Sequence, residues 1–348
     1  MMTIFPNQKK AGKDILEAFD RKPYVLFSAQ MQSGKTGTFI YVAKKMLKTK
    51  VKHVVIFSGN RETLLKQQTI DRVGHIDNVH VVWGAQLSKF VPFKETTLYI
   101  WDESHYGQQY GQQVDLFLQK CGLNPKGGSQ SNHFVLSVSA TPFTEIFHII
   151  HNDADKELVF MDNDDKYWSC QNMIDKGNII TYKDPFEKLT YVLDHFHKGY
   201  ALIRGTDRIK GNSSFKNVQL LAKMKNIKFI SLDMNNSFDL DDILSKPTSI
   251  PVIIFLRGTY LMGKSILHKQ YVSFCFETSK YKKTDSLLQS FIGRFSGFNF
   301  NSNIIIYISS LFFKQLFIFN IMFLHHSISP TKSTLFSRNI PSSLSIFS

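Results

Sequence analysis

Cysteine is scarce in this chain of 348 residues, which has three cysteines. Cys121, Cys170 and Cys275 stand far apart, without the C-x-x-C or Cys/His spacing of a zinc site or the pattern of a disulfide framework. Such usage is typical of a reducing compartment. The first residues, "MMTIFPNQKKAGKD", lack the apolar core of a secretory signal. We therefore expect an intracellular protein of the cytoplasm, the nucleus or a viral replication site, not a secreted one.

Negative charge is also in short supply. The chain has 42 Lys and Arg against 28 Asp and Glu, a formal net charge of +14, and no Asp or Glu occurs after Asp285. An excess of this size favours a polyanionic partner, with nucleic acid first and an anionic membrane surface second.

Long apolar runs are nearly absent, and the exception is "NIIIYISSLFFKQLFIFNIMF". Its first part is needed as a sheet strand, and Lys314 in its middle would cost about 2.5 to 3.5 kcal/mol at the centre of a bilayer. We expect no membrane span. Residues 311–348 are instead predicted to be an atypical apolar and Ser-rich tail, disordered or truncated relative to a longer chain.

Short β-branched runs alternate with helical segments in the first part of the chain. The predicted strands are "YVLFSA", "HVVIFSG", "VHVVWG", "TLYIWD" and "HFVLSVSA". Continuous apolar strands separated by helices indicate a parallel sheet that is covered on both faces. Residues 1–150 are therefore predicted to form an α/β domain.

The following stretch, "HNDADKELVFMDNDDKYWSC", has clustered acids, and we predict a linker over 151–184. A second alternating series begins near Pro185 and predicts another parallel-sheet domain over 185–310. Two such domains in tandem leave a cleft between them, where doubly wound folds bind ligands.

The stretch "SAQMQSGKTGTF" lies between a predicted strand and a predicted helix. From Ala29 it reads A-x-x-x-x-G-K-T, the phosphate-loop pattern with alanine at the first glycine position. Such a turn directs backbone N–H groups and the positive helix end at a phosphate. Lys35 is predicted to reach the β/γ oxygens and the Thr36 hydroxyl to bind Mg²⁺. The predicted ATP-binding residues of the loop are Gln32, Ser33, Gly34, Lys35, Thr36 and Gly37.

A phosphate loop requires a carboxylate for the metal and a base for the attacking water. The run "TLYIWDESH" ends a buried strand with two acids. Asp102 is predicted to hold Mg²⁺, and Glu103 is predicted to orient and deprotonate water.

These residues resemble those of the superfamily 2 helicases and translocases, whose second motif is D-E-x-D or D-E-x-H. "DESH" matches the latter form, and "SAT" at Ser139, Ala140 and Thr141 resembles the third motif. The resemblance implies two RecA-like domains, with ATP and Mg²⁺ in the cleft between them and Ser139 and Thr141 coupling turnover to movement. The loop and "RGTYLMGKS" are more similar to viral, phage and restriction-type DNA translocases, a slight preference for DNA over RNA.

Other matches to the family are weaker. Gln8 stands where many of these proteins have a glutamine that reads adenine. "FSGNRETLLKQQ" resembles motif Ia and implies that Arg61 contacts a nucleic-acid phosphate. "LLQSFIGRFSGF" resembles motif VI, where Arg294 is the candidate transition-state arginine, although Gly297 replaces the second arginine of the motif. Arg257 is the nearest substitute.

Basic residues also follow a predicted strand in "ALIRGTDRIKGNSSFK". Arg204, Arg208 and Lys210 are predicted to contact a nucleic-acid backbone. The sequence thus predicts an ATP-dependent helicase or translocase that acts on DNA or RNA. Two alternatives stay open: a catalytically impaired helicase-like protein that binds nucleic acid, and a DNA-packaging ATPase, whose clustered nuclease acids we do not find in the sequence.

Overall fold

The computed structural model describes residues 4–59, 63–105, 110–124, 126–127, 132–151, 155–205, 214–233, 239–257, 266–279, 291–298, 300–314 and 316. By its internal contacts the described chain divides into two units. The first consists of 4–29 and 34–164, and the second of Gln30–Ser33 together with the described residues from Asp165 onward.

The first unit is a six-stranded sheet whose strands all pair in parallel, in the order β3-β2-β4-β5-β1-β6. Its strands are β1 (Tyr24–Ser28), β2 (His53–Ser58), β3 (Val79–Trp83), β4 (Thr97–Asp102), β5 (Phe134–Ser139) and β6 (Glu157–Phe160). Its helices are α1 (Pro6–Arg21), α2 (Lys35–Thr49), α3 (Thr63–Val73), α4 (Gln113–Lys120) and α5 (Phe143–Ile150), with a 3-10 helix over Gly84–Lys89.

Alternating residues of β4 supply the cores on both faces of this sheet. Leu98 and Ile100 belong to the core on one face, which also contains residues of α1 and α2. Tyr99 and Trp101 belong to the core on the other face, together with Phe117 of α4. Because both faces are covered, the strand is apolar throughout, as its sequence indicates.

The second unit is also a six-stranded parallel sheet, in the order β7-β12-β11-β8-β10-β9. Its strands are β7 (Ile179–Tyr182), β8 (Gly199–Gly205), β9 (Lys228–Leu232), β10 (Pro251–Arg257), β11 (Val272–Glu277) and β12 (Ile305–Ser309). Its helices are α6 (Cys170–Asp175), α7 (Pro185–Asp194), α8 (Ser214–Met224), α9 (Leu240–Leu244) and α10 (Gly293–Phe295), with a 3-10 helix over Lys269–Tyr271.

The segment 151–184, predicted as a linker, instead contributes a strand to each sheet. β6 pairs with β1 at the edge of the first sheet, and β7 pairs with β12 at the edge of the second. β6 has four residues among clustered acids, which is why its sequence resembles a solvated connection. Most of the predicted tail lies outside the described residues. Within the described part of the chain, no helix is long and apolar enough to cross a membrane.

Candidate nucleotide site

The phosphate-loop sequence forms a tight turn between β1 and α2. The Ser33 hydroxyl donates a hydrogen bond to the Gln30 carbonyl at 2.6 Å. Gln32 adopts a left-handed φ of +57°, and Gly34, the N-cap of α2, one of +94°. Lys35 begins a helix of 15 residues, so the N–H groups of the first turn and the positive end of that helix lie at the loop. This geometry is suited to binding an anion.

Gln8 of α1 is hydrogen-bonded to the loop. Its Nε2 donates to the Gly34 carbonyl at 3.0 Å, and its Oε1 accepts from the Phe5 N–H at 2.9 Å. A Cβ at Gly34 would lie 2.2 Å from Nε2, and a Cβ at Gly37 would lie 2.6 Å from Oε1. Glycine is therefore favoured at Gly34 by its left-handed φ, and at both positions an added Cβ would displace the end of the Gln8 side chain. The predicted role of Gln8 in reading adenine stays a prediction.

Asp102 and Glu103 lie at the carboxyl end of the parallel strands, as the loop does. In the strand order, β5 separates β1 from β4, and all three run parallel, so the residues that follow β1 and β4 leave the sheet on the same side. Asp102 ends β4, and its Oδ1 accepts from the Glu103 N–H at 3.0 Å. Burial, and then the charge of Glu103, raise the pKa of Asp102 to about 7. The positive charges of Lys35 and Arg72 act in the opposite direction and lower it. The predicted phosphate-binding lysine and the predicted metal-binding carboxyl are thus brought together.

Arg72, near the end of α3, was not predicted from the sequence. Its Nη1 donates to the Thr36 hydroxyl at 3.3 Å, and its charge also favours ionised Asp102. A cation therefore stands beside the two groups predicted to hold Mg²⁺. Nothing in the sequence near Arg72 indicates this role, because it depends on how α3 packs.

The residues present fit magnesium and a triphosphate. A hydroxyl and a carboxylate are oxygen ligands of the kind that Mg²⁺ prefers, and Mg²⁺ takes few protein ligands beside water and phosphate. In the described ranges, no group of three or more His, Cys, Asp and Glu residues is arranged to hold a metal. Thr36 and Asp102 would bind Mg²⁺ together with phosphate and water oxygens.

The side chain of Glu103 has one carboxylate oxygen that is available as a hydrogen-bond acceptor among the described residues. Its Oε2 is buried and has no hydrogen-bond partner among the described residues. It lies 3.4 Å from His105 Nδ1, an ion-pair distance without the geometry of a hydrogen bond. Glu103 adopts a left-handed φ of +53°, which is uncommon for a residue other than glycine.

The third motif contacts the second motif through Ser139. Its hydroxyl lies 3.3 Å from His105 Nδ1, with donor and acceptor set by the histidine tautomer, and it accepts from the Thr141 N–H at 3.0 Å. The Ser104 N–H donates to the Val138 carbonyl at 2.9 Å. Backbone and side-chain bonds thus join the two motifs at the carboxyl edge of the sheet.

Of the four predicted nucleic-acid-binding residues, the structure describes one. Arg61, Arg208 and Lys210 lie outside the described residues. Arg204 is described and is 1% exposed, with its Nη1 3.4 Å from Oε2 of Glu277, which is itself buried. Arg204, which is predicted to contact a nucleic-acid backbone, is therefore buried at the end of the central strand β8, and this position does not fit such a contact.

Arg294 and Arg257, the two candidates for the transition-state arginine, lie in the second unit. Arg294 is in the short helix α10 and is buried. The guanidinium of Arg257 lies 4.0 Å from the ring centre of Phe215 and 3.9 Å from the Asp233 carboxylate. The structure does not test either role in catalysis.

Comparison with solved structures identifies relatives of the fold. The chain is similar to the E. coli DExH-box NTPase HrpB, with a TM-score of 0.56 and 14% identity over 89% of this chain and 42% of that one. It is also similar to the ATP-dependent Type ISP restriction-modification enzyme LlaBIII bound to DNA, with a TM-score of 0.57 and 13% identity over 88% and 28% of the two chains. S. cerevisiae Dbp5 bound to RNA and ADP BeF3 gives a TM-score of 0.50 and 14% identity over 92% of both chains.

This chain therefore spans less than half of HrpB and of LlaBIII. No protein-family model and no curated protein sequence matches it. At these identities the likeness concerns the fold alone, which is two RecA-like parallel α/β units.

Proposed function

We propose that this chain, whose fold is that of superfamily 2 helicases, is a nucleic-acid-dependent ATPase that couples hydrolysis of Mg-ATP to movement on DNA or RNA. One observation carries the proposal. Lys35 begins α2 just after β1 and Asp102 ends β4, at the same end of two parallel strands, where the charge of Lys35 lowers the pKa of Asp102. A lysine, a hydroxyl and two carboxyls at a helix N-terminus are the groups that phosphoryl transfer requires.

Binding of ATP is assigned to the loop and to the start of α2. The N–H groups of the first helical turn bind the β-phosphate, and Lys35 compensates charge on the β and γ oxygens. Thr36 and Asp102 would hold Mg²⁺, which neutralises charge on the phosphates. The Thr36 hydroxyl, which accepts a hydrogen bond from Arg72, would be the oxygen that Thr36 offers to the metal.

Hydrolysis is assigned to Glu103. A carboxylate oxygen without a hydrogen-bond partner among the described residues, next to the predicted metal ligand, can accept a hydrogen bond from water and take its proton. His105 faces both this carboxylate and Ser139. His105 therefore connects the hydrolytic residue to Ser139 and Thr141, the residues that are proposed to couple turnover to nucleic acid.

Nucleic acid is the proposed polyanionic partner. The net charge of +14 favours it, and among the solved relatives Dbp5 is bound to RNA and LlaBIII to DNA. Arg61, Arg208 and Lys210 remain the proposed phosphate contacts, and Arg204 is left out because it is buried. We retain the slight preference for DNA that the loop sequence indicates.

A second candidate function is nucleic-acid binding without turnover. Gly297 stands at the position of the second motif VI arginine, and the described Arg294 is buried. If neither Arg294 nor Arg257 reaches the phosphates, hydrolysis loses a contribution worth on the order of 10³ to 10⁵ in rate.

The proposal is tested by Glu103→Gln, which keeps the shape of the side chain and removes its basicity. We expect this variant to bind ATP with the affinity of the wild type and to lose turnover by about 10² or more. ATP binding is measured by titration calorimetry and turnover by phosphate release. Full turnover in the variant would remove Glu103 from the role of base. If neither the wild type nor the variant hydrolyses ATP, the second candidate function, nucleic-acid binding without turnover, is favoured.

A further inference from the structure

Three buried side chains form a continuous set of contacts beneath the turn that carries Glu103. The Ser104 hydroxyl donates a hydrogen bond to Oε1 of Glu145. The other oxygen, Oε2, accepts from Lys156 Nζ at 2.6 Å. The side chains of Lys156 and Glu145 are 3% and 5% exposed, and Ser104 is fully buried. We call these residues the Ser104–Glu145–Lys156 network.

The network joins three separate parts of the first unit. Ser104 follows β4, Glu145 lies on α5, and Lys156 directly precedes β6. A buried ion pair is weak evidence of a stabilising role, because an apolar pair of the same volume is often as stable or more so. Both carboxylate oxygens of Glu145 are used, one by each neighbour, so its orientation is fixed and its Oε1 presents a defined acceptor to Ser104.

Ser104 is held from two directions. Its N–H donates to the Val138 carbonyl of β5 at 2.9 Å, and its hydroxyl is held by Glu145. The preceding residue is Glu103, whose left-handed backbone sets the direction of its side chain. A residue in that conformation keeps it only when its surroundings determine it. The turn is constrained by the Glu103 N–H, which donates to Asp102 Oδ1, and by the two bonds of Ser104.

We propose that the Ser104–Glu145–Lys156 network positions Glu103 for attack of water on ATP, with Lys156 fixing the Glu145 carboxylate and Glu145 fixing the turn through Ser104. None of the three residues touches the substrate, so they are positioning residues. The proposal rests on the ATPase function proposed above and adds to it two residues, Glu145 and Lys156, that lie outside the helicase motifs.

Two double variants form a matched pair for the test. Glu145→Gln with Lys156→Met removes both charges and keeps an acceptor oxygen for Ser104. Glu145→Leu with Lys156→Met removes the same charges, has similar volume and leaves Ser104 without that acceptor. A purely structural role predicts that activity follows stability. The leucine protein gains apolar burial but leaves the buried Ser104 hydroxyl without its acceptor, so the unfolding midpoint of each protein is compared with its kcat.

The measurements are kcat and KM for ATP from phosphate release with single-stranded nucleic acid, and the thermal unfolding midpoint. We expect the glutamine protein to keep kcat within about threefold of the wild type. The leucine protein should lose about tenfold or more in kcat with KM unchanged, since small misplacements of a reacting group have large effects.

Ser104→Ala supplies an independent variant that leaves the ion pair intact, and it should show the same fall in kcat. Its control is Ser28→Ala, a buried serine at the end of β1 whose hydroxyl has no partner among the described residues. Equal kcat in the two double variants, with an active wild type, would overturn this proposal alone. A wild type without stimulated phosphate release would overturn the proposed function and this proposal with it.

Discussion

The guanidinium of Arg72 donates a hydrogen bond to the Thr36 hydroxyl at 3.3 Å, and so occupies the oxygen that we assign to Mg²⁺. A divalent cation at that oxygen would compete with this contact and would be repelled by the charge of Arg72. Arg72→Gln should therefore lower the Mg²⁺ concentration that gives half-maximal phosphate release, by about two- to fivefold, because exposed hydrogen bonds of charged groups are worth about 1 kcal/mol. A magnesium titration of ATPase activity measures this.

Arg21→Gln is the matched control, since Arg21 pairs on the surface of α1 with Glu157. It should leave the magnesium dependence unchanged. An Arg72→Gln protein that needs more magnesium than the wild type would show that Arg72 assists the metal site and does not compete for it.

Gly34→Ala tests the geometry of the loop. Gly34 has a φ of +94°, and an added Cβ would lie 2.2 Å from Gln8 Nε2. Alanine should therefore weaken ATP binding by about tenfold or more, through strain and through movement of the loop. Titration calorimetry with ATP measures the affinity.

Gly74→Ala is the control for the backbone effect alone. Gly74 has a φ of +61° with nothing within 4 Å of the added Cβ. It should destabilise the protein by about 1 kcal/mol and leave ATP affinity unchanged. Equal losses of ATP affinity in both variants would mean that crowding against Gln8 is unimportant.

The buried pair of Arg204 and Glu277 predicts a large effect on stability. Glu277→Ala leaves the guanidinium buried without its carboxylate, and such changes typically cost about 3 to 5 kcal/mol. Asp162→Ala removes an exposed pair with Lys10 and should cost less than about 1 kcal/mol. Denaturant unfolding compares the two. If Glu277→Ala and Asp162→Ala lose similar amounts of unfolding free energy, the Arg204–Glu277 pair is solvated in solution.

Lys269 predicts a dependence of stability on pH. It is 1% exposed, its Nζ donates to the Ser296 carbonyl at 2.9 Å, and burial, then the charge of Arg294, lower its pKa from 10.5 to about 8. Between these values the unfolded chain binds more protons than the folded one. Stability from this group therefore increases as pH rises through that window and is lower at and below pH 8.

Lys269→Met removes this titration. From pH 7.5 to pH 10, the free energy of unfolding of the wild type should rise by about 2 kcal/mol relative to the variant. Denaturant unfolding at each pH measures the difference, and Lys198→Met controls for the loss of an exposed lysine. The prediction is contradicted if the free energy of unfolding changes with pH by the same amount in the wild type and in Lys269→Met.

The strands and the loop could be predicted because their signals are local. β1 and β4 are continuous apolar runs, and the turn "SGKT" has its glycine where the backbone is left-handed. β6 was missed because four residues among acids have too little apolar length, and its place is set by pairing with β1.

Other residues could not be predicted because tertiary packing alone gives them their roles. Arg72 reaches Thr36 across 36 positions of the chain, and Ser104 reaches Glu145 across 41. Arg204 looked like a surface residue because it is basic and near a strand end. The buried Glu277 on the neighbouring strand β11 explains why it is inside.

The central claim is that Lys35 and the acids after β4 form one ATP-hydrolysing site that responds to nucleic acid. The most direct measurement is the rate of phosphate release with and without single-stranded DNA, single-stranded RNA and duplex, for the wild type and for Lys35→Ala. We predict that the wild type is stimulated about tenfold or more by at least one of these, and that Lys35→Ala stays at the background rate in all of them. A wild-type rate equal to that of Lys35→Ala under every condition would contradict the account.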